Sequence, residues 1–228
     1  MPLLLVSAGI IGLLGMAALL TIYIMDDSGD TSPVTDPMTS ISAEKNTQIS
    51  PSSPSYGEAG YREAEHRLLF VGDSRTVGMQ KAVLEADSED PCTCIAMEGE
   101  GYRWFYNEGI VQLEETLSEN PRQIVIFNLG VNDLEEITNY ISLYQALFEA
   151  YPQTSFHIMS VNPVDEAQFD GVSNEEIEAF NSQMREAFSC QYLDCYAYLL
   201  REGYETVDGL HYSGETYRSI HHFAVSSL

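Results

Sequence analysis

Gln123-Ile-Val-Ile-Phe-Asn-Leu-Gly-Val-Asn-Asp133 joins an unbroken apolar run to a polar, glycine-containing turn. A half-buried strand alternates apolar and polar residues, whereas a strand covered on both faces reads as a continuous apolar run. Four more runs of this kind are Arg67-Leu-Leu-Phe-Val-Gly72, Thr93-Cys-Ile-Ala-Met97, Ser155-Phe-His-Ile-Met-Ser-Val161 and the stretch from Tyr192 to Leu199. Between them the period changes. Ile137, Ile141, Tyr144, Leu147, Phe148 and Tyr151 recur every three to four residues, as do Ile177, Phe180, Met184 and Phe188, which is the spacing of a helix with one buried face. Asn174, Glu175 and Glu176 suit a helix start. Ser213 and Glu215 suit the start of a last helix carrying Tyr217, Ile220 and Phe223. Five strands alternating with helices imply parallel βαβ units with right-handed crossovers. The expected fold is therefore an α/β three-layer sandwich, α/β/α, around a five-stranded parallel sheet of flavodoxin-like layering, occupying residues 66–228.

Two regions precede that domain. Leu3 to Met25 carries no charged residue, and its polar content is Ser7, Thr21, Tyr23 and three glycines. Its 23 residues suffice to cross a bilayer core of about 30 Å as a helix. Residues 1–25 are thus expected to form a transmembrane anchor. The rival is a cleaved signal peptide, with a small-residue site near Gly15 to Ala18; a basic leading segment is missing and the apolar run is long for that role. From Ser28 to Ser55, 16 of 28 residues are Ser, Thr or Pro. Such a stretch buries too little apolar area to offset its ordering entropy, so residues 26–65 are expected to be a disordered stalk. The first basic residue is Lys45, which leaves the positive-inside rule little to count. A long C-terminal domain outside the membrane is the expected topology, single-pass, or secreted if the first segment is removed.

Charge and cysteine content limit the function. Ten Lys and Arg stand against 35 Asp and Glu among 228 residues, a formal net charge of −25. A nucleic-acid binder needs a basic face to displace counterions, and docking on anionic lipid needs one too. Neither is expected; membrane contact would come through the N-terminal segment only. Four cysteines are too few for a disulfide-built scaffold, and no His, Cys and carboxylate cluster has metal-ligand spacing.

In an open parallel sheet, ligands bind beyond the carboxyl ends of the strands. The residues following each strand are Gly72-Asp73-Ser74-Arg75-Thr76, Glu98-Gly99-Glu100-Gly101, Gly130-Val131-Asn132-Asp133 and Asp208-Gly209-Leu210-His211. Together they offer a hydroxyl, backbone N–H groups, a carboxamide, a carboxylate and an imidazole, the parts of a serine esterase. In order and spacing these four segments resemble the SGNH hydrolase superfamily, the GDSL-type esterases and lipases, over the whole domain from about residue 67. There is no Gly-x-Ser-x-Gly elbow, so the larger α/β-hydrolase family is not supported.

The resemblance implies a role for each residue. Ser74 is the expected nucleophile, His211 the general base and Asp208 the group that orients the imidazole. The expected oxyanion donors are the backbone N–H of Ser74, the backbone N–H of Gly99 and the side-chain amide of Asn132. Gly101 competes with Gly99 for this place; Gly99 is preferred because it directly follows the apolar run, and Glu100 is expected to face solvent. No cofactor is implied. The activity implied is hydrolysis of acyl esters, O-acetyl groups first, on cell-wall or dietary carbohydrate. The alternatives are O-acyl transfer with the same triad, a lipase or lysophospholipase-like esterase, and a non-catalytic surface module.

The same residues have plainer readings. Ser74 also suits a helix N-cap, Asn132-Asp133 a turn and cap before Glu135, and Asp208-Gly209 a turn. All would have to coincide at one sheet edge. His157 reads as a core histidine, and of His221 and His222 at least one is expected to be exposed. Tyr102, Trp104, Phe105 and Tyr106 either line the pocket or pack the next helix. Arg75 and Arg103 are candidates to offset the acidic surface near the site. In an exported protein the cysteines expected to pair are Cys190 and Cys195. The family's strand order would place the Cys92 and Cys94 pair on the opposite edge, where a bond to them is harder to build.

Overall fold

The computed structural model describes residues 68–87 and 92–228. The expected anchor at 1–25 and stalk at 26–65 lie outside the described residues. Among the described residues no helix is long and apolar enough to cross a membrane.

Five strands form one parallel sheet: β1 (Leu68–Gly72), β2 (Thr93–Ala96), β3 (Ile124–Asn128), β4 (Ser155–Met159) and β5 (Tyr192–Leu193), in the order β2-β1-β3-β4-β5. The helices are α1 (Ser74–Ala86), α2 (Ile110–Glu119), α3 (Ile137–Ala150), α4 (Asn174–Ala187), α5 (Cys195–Glu202) and α6 (Gly214–Ser226). A helical turn at Tyr102–Trp104 and a π-helical turn at Phe105–Gly109 lead into α2.

The two faces of the sheet bury separate cores, because alternate strand residues point opposite ways. Leu69, Val71, Val125, Phe127, Phe156 and Ile158 pack with α2, α3 and α4. Leu68, Phe70, Ile126 and Met159 pack with α1, α5 and α6. Helices therefore cover both faces, which is why β1 and most of β3 read as continuous apolar runs.

The fifth apolar run differs from expectation. Only Tyr192 and Leu193 extend the sheet, and the rest of the run is helix α5. Asp194 breaks the run and caps that helix, its side chain accepting from the Ala197 N–H at 3.1 Å. A buried strand and a buried helix share the same apolarity over so short a span. The expected Cys190–Cys195 pairing is also corrected: neither of the two is in a disulfide. Cys195 opens α5 with its thiol in the core, while Cys190 is exposed.

Helix starts follow the local chemistry. Ser173, one residue ahead of the expected start, forms a capping box with Glu176, satisfying backbone donors that the first turn leaves unpaired. Ser213 caps α6, its side chain accepting from Thr216 N–H.

The register positions the loops. Gly72, the last residue of β1, lies opposite Ala96 on one side and Asn128 on the other. Three strands thus end level, and the segments 73–75, 97–101 and 129–133 leave the sheet side by side.

Candidate active site

Ser74 is the first residue of α1, at the end of β1. Asp73 caps that helix, its carboxylate accepting from the Arg75 N–H at 2.9 Å. Asp73 is only 2% exposed. Burial pushes its carboxyl up to about 6, against the pull of the Arg75 guanidinium.

His211 reaches Ser74 from the segment between α5 and α6. That segment folds into a tight antiparallel loop. Thr206 bridges to Tyr212, and Val207 N–H donates to His211 O at 2.7 Å. Tyr212 is buried, and its hydroxyl donates to Pro163 O. Asp208 Oδ1 accepts from the N–H of His211 at 2.7 Å and of Leu210 at 3.0 Å. Its Oδ2 stands 2.8 Å from His211 Nδ1, and His211 Nε2 stands 3.0 Å from Ser74 Oγ. With the proton on Nδ1 directed at the carboxylate, Nε2 is left to accept from the hydroxyl. The Asp208 side chain is 54% exposed. What desolvation it has opposes ionisation, but the hydrogen bonds from His211 and Leu210 outweigh that and hold its carboxyl down at about 2.

The segment after β2 borders the same place. Met97 N–H donates to Gly72 O at 3.2 Å. Gly99 is exposed and has φ +73°. A Cβ there meets nothing, so glycine serves backbone conformation at this position rather than space. Gly101 is the reverse case: a Cβ would stand 2.2 Å from Asp133 Oδ2. Glu100 faces solvent, as expected. Asn132 is exposed, and its Nδ2 donates to Glu100 O at 2.7 Å, leaving one N–H of the amide for another acceptor.

Asp133 departs from its plain reading. It makes no side-chain cap on the helical turn that follows. Its Oδ2 accepts from Tyr102 N–H at 2.6 Å and its Oδ1 from the Tyr140 hydroxyl at 2.8 Å. Burial raises its carboxyl, and those two donors act against the rise. Its only mark in the sequence is its place beside Asn132 in the turn after β3.

Arg75 does not offset the surface charge. Its guanidinium is buried, donating from Nη1 to Asn162 O at 2.8 Å and lying 5.4 Å from the Tyr212 ring centroid. Arg103 is exposed. The aromatic cluster divides: Trp104 and Phe105 are buried, while Tyr102 stacks on the partly exposed Tyr106 at 5.8 Å. His157 is half-buried, with Nε2 3.1 Å from Ser155 Oγ, and burial lowers its pKa. His221 is buried and His222 exposed. Beside the His211 loop, Asp165, Gln168, Tyr204, Glu205 and Thr206 line an open cavity of about 440 Å³. Among the described residues, no group of three or more His, Cys, Asp or Glu is placed to hold a metal ion.

At the level of sequence, no family model and no curated protein matches the chain. Its three-dimensional structure does match solved ones. A lipase/acylhydrolase from Enterococcus faecalis superposes with a TM-score of 0.54 at 15% identity, covering 71% of this chain and 94% of that one. A Streptococcus pneumonia protein described as a platelet activating factor superposes with a TM-score of 0.50 at 23% identity, covering 72% and 87%. The described domain shares its fold with these two proteins.

Proposed function

We propose that this protein is a serine esterase that hydrolyses short acyl esters, O-acetyl groups above all, on carbohydrate or cell-envelope substrates. The observation that carries the reading is the continuous hydrogen-bond chain from Asp208 through His211 to Ser74. A serine hydroxyl is a poor nucleophile until a base takes its proton. Here Ser74 Oγ attacks the ester carbonyl while its proton passes to His211 Nε2, and Asp208 steadies the imidazolium through Nδ1. The carbonyl oxygen becomes an oxyanion, with the N–H groups of Ser74 and Gly99 and the free N–H of Asn132 as donors. The positive end of α1, which starts at Ser74, adds to them. Collapse expels the alcohol, which takes the proton from His211 and leaves an acyl-Ser74. Water, deprotonated by His211, then releases the acid and restores the hydroxyl.

The choice of substrate follows the family resemblance, and the open cavity beside the His211 loop, which none of Ser74, His211, Gly99 and Asn132 lines, agrees with it. Its carboxylates, carboxamide and hydroxyls, with one tyrosine face, suit the hydroxyl-rich alcohol half of a sugar ester more than a long acyl chain. We propose further that residues 1–25 anchor the chain in the cell membrane and that the Ser/Thr/Pro-rich segment holds the domain outside it. Protease treatment of intact cells that removes the domain supports this placement, and a domain shielded in intact cells refutes it.

The deciding experiment uses the full-length protein with chromogenic esters of increasing acyl length and an organophosphonate probe. Hydrolysis of the acetyl ester and probe labelling at Ser74 are expected. Ser74→Ala is expected to abolish both, and His211→Ala to lower turnover by at least about 10³-fold. A folded wild-type protein that neither turns over an ester nor takes the probe refutes the reading. Product analysis with a sugar acceptor present separates hydrolysis from transfer, since an acceptor hydroxyl in place of water gives a new ester.

A further inference from the structure

The segment after β2 is held by two consecutive residues of the neighbouring loop. Asn132 takes hold of it at Glu100 O, and Asp133 takes hold of it at Tyr102 N–H. The second carboxylate oxygen of Asp133 is fixed by Tyr140, a fully buried residue of α3. Between the two attachment points lies Gly101, where the carboxylate occupies the space that a Cβ would need. Left to itself, a segment with two glycines, one of them at positive φ, has many backbone conformations of similar energy. Oxyanion donors work only when they are already aimed before charge develops. A bare carboxylate near that place would oppose the oxyanion, but both oxygens of Asp133 are engaged by donors.

We infer that Asp133 is a positioning residue: through its grip on Tyr102 N–H it holds residues 98–102 so that the Gly99 N–H and the Asn132 amide meet the oxyanion. The inference rests on the serine-esterase reading. Asp133 touches no reacting atom. Its effect passes through the loop, so its removal lowers turnover and leaves substrate affinity nearly unchanged.

The test measures kcat and KM for an acetyl ester in the full-length protein, per folded molecule by circular dichroism. Asp133→Ala is expected to lower kcat about 10²-fold, on the scale of losing one oxyanion donor, with KM within about threefold. Asp133→Asn keeps an acceptor for Tyr102 N–H and a polar partner for Tyr140, and is expected to return kcat to within about tenfold of wild type. The double variant Asn132→Ala/Asp133→Ala is expected to lose less than the product of the two single losses, since both residues serve one loop. Wild-type kcat in Asp133→Ala, a loss no larger than the lost folded fraction, or a double variant whose losses multiply overturns the inference. If Asp133→Ala does not fold, Tyr140→Phe removes one hydroxyl only; a several-fold lower kcat in the folded protein supports the inference and an unchanged kcat overturns it. Failure of the esterase reading looks different, because then the wild-type protein itself shows neither turnover nor labelling of Ser74.

Discussion

Asp73 sits directly before Ser74, is buried, and has its carboxyl pushed up to about 6 by that burial. A carboxyl whose folded pKa exceeds its unfolded value binds protons more tightly in the folded state. Its contribution to stability is present at low pH and is lost as pH rises from about 4 to about 6, on the order of 1–3 kcal/mol. Asp73→Asn keeps an oxygen for the Arg75 N–H and has no charge to bury. Urea unfolding of this variant between pH 4 and 7 is expected to lack that downward slope; an unchanged slope assigns it to other groups. Asp208 works in the opposite sense. Its carboxyl is held at about 2, so its contribution is present above about pH 4 and lost as pH falls through 2. Its exposure leaves that contribution open to screening by salt. The residues themselves were legible to different degrees. Asp208 and His211 are three apart in one local loop, and their pairing was expected from the family resemblance. Asp133 could not be read this way, because an Asn-Asp pair after a strand is also an ordinary turn. What distinguishes it is a contact with Tyr102, 31 positions earlier.

Strand β3 is the element on which the others are arranged. Phe127 points from it into the larger core, with its ring 4.2 Å from that of Tyr144 and 5.6 Å from that of Phe105. Those neighbours belong to α3 and to the turn leading into α2, so one side chain joins the sheet to both. Phe127→Ala is expected to destabilise the domain by about 3–5 kcal/mol, measured as a lower urea midpoint with little change in slope. A cost below about 1 kcal/mol would mean that the cavity collapses around the missing ring. Elements with a long periodic pattern were legible. The helices carrying Tyr144 and Phe180 were expected from spacing, and the strands at 68–72, 124–128 and 155–159 from unbroken apolarity. The edge of the sheet was not legible. Beyond Leu193 the chain stays apolar, but a single Asp194 caps α5, and helix replaces strand at the point where no further partner strand lies alongside.

Over the whole molecule, negative charge governs how a ligand approaches. From His66 onward there are 27 acidic and 8 basic residues, a net of −19. Arg75, the basic residue adjacent to Ser74, is buried and adds no exposed positive charge there. An anionic ester therefore approaches against a repulsive field whose range shrinks from about 30 Å at 0.01 M salt to about 8 Å at physiological ionic strength. Its kcat/KM is expected to rise several-fold over that interval, while that of a neutral acetyl ester stays flat. Equal salt responses for the two esters would show that the field does not reach the site. The fold class was legible from the alternation of runs, and the gathering of the loops after β1, β2 and β3 from the rule that parallel strands present their carboxyl ends together; the loop of Asp208 and His211, expected after the fifth strand, instead follows helix α5. The close approach of α1 to α6 was not legible, because it depends on packing between residues at the two ends of the domain.

The hydroxyl of Ser74 and the imidazole of His211 are 137 positions apart, one at the head of α1 and the other just before α6. Neither group acts without the other on the esterase reading, since a serine hydroxyl is a poor nucleophile until a base takes its proton. On that reading, a chain cut anywhere between the two holds no assembled centre, however well its remaining strands pair.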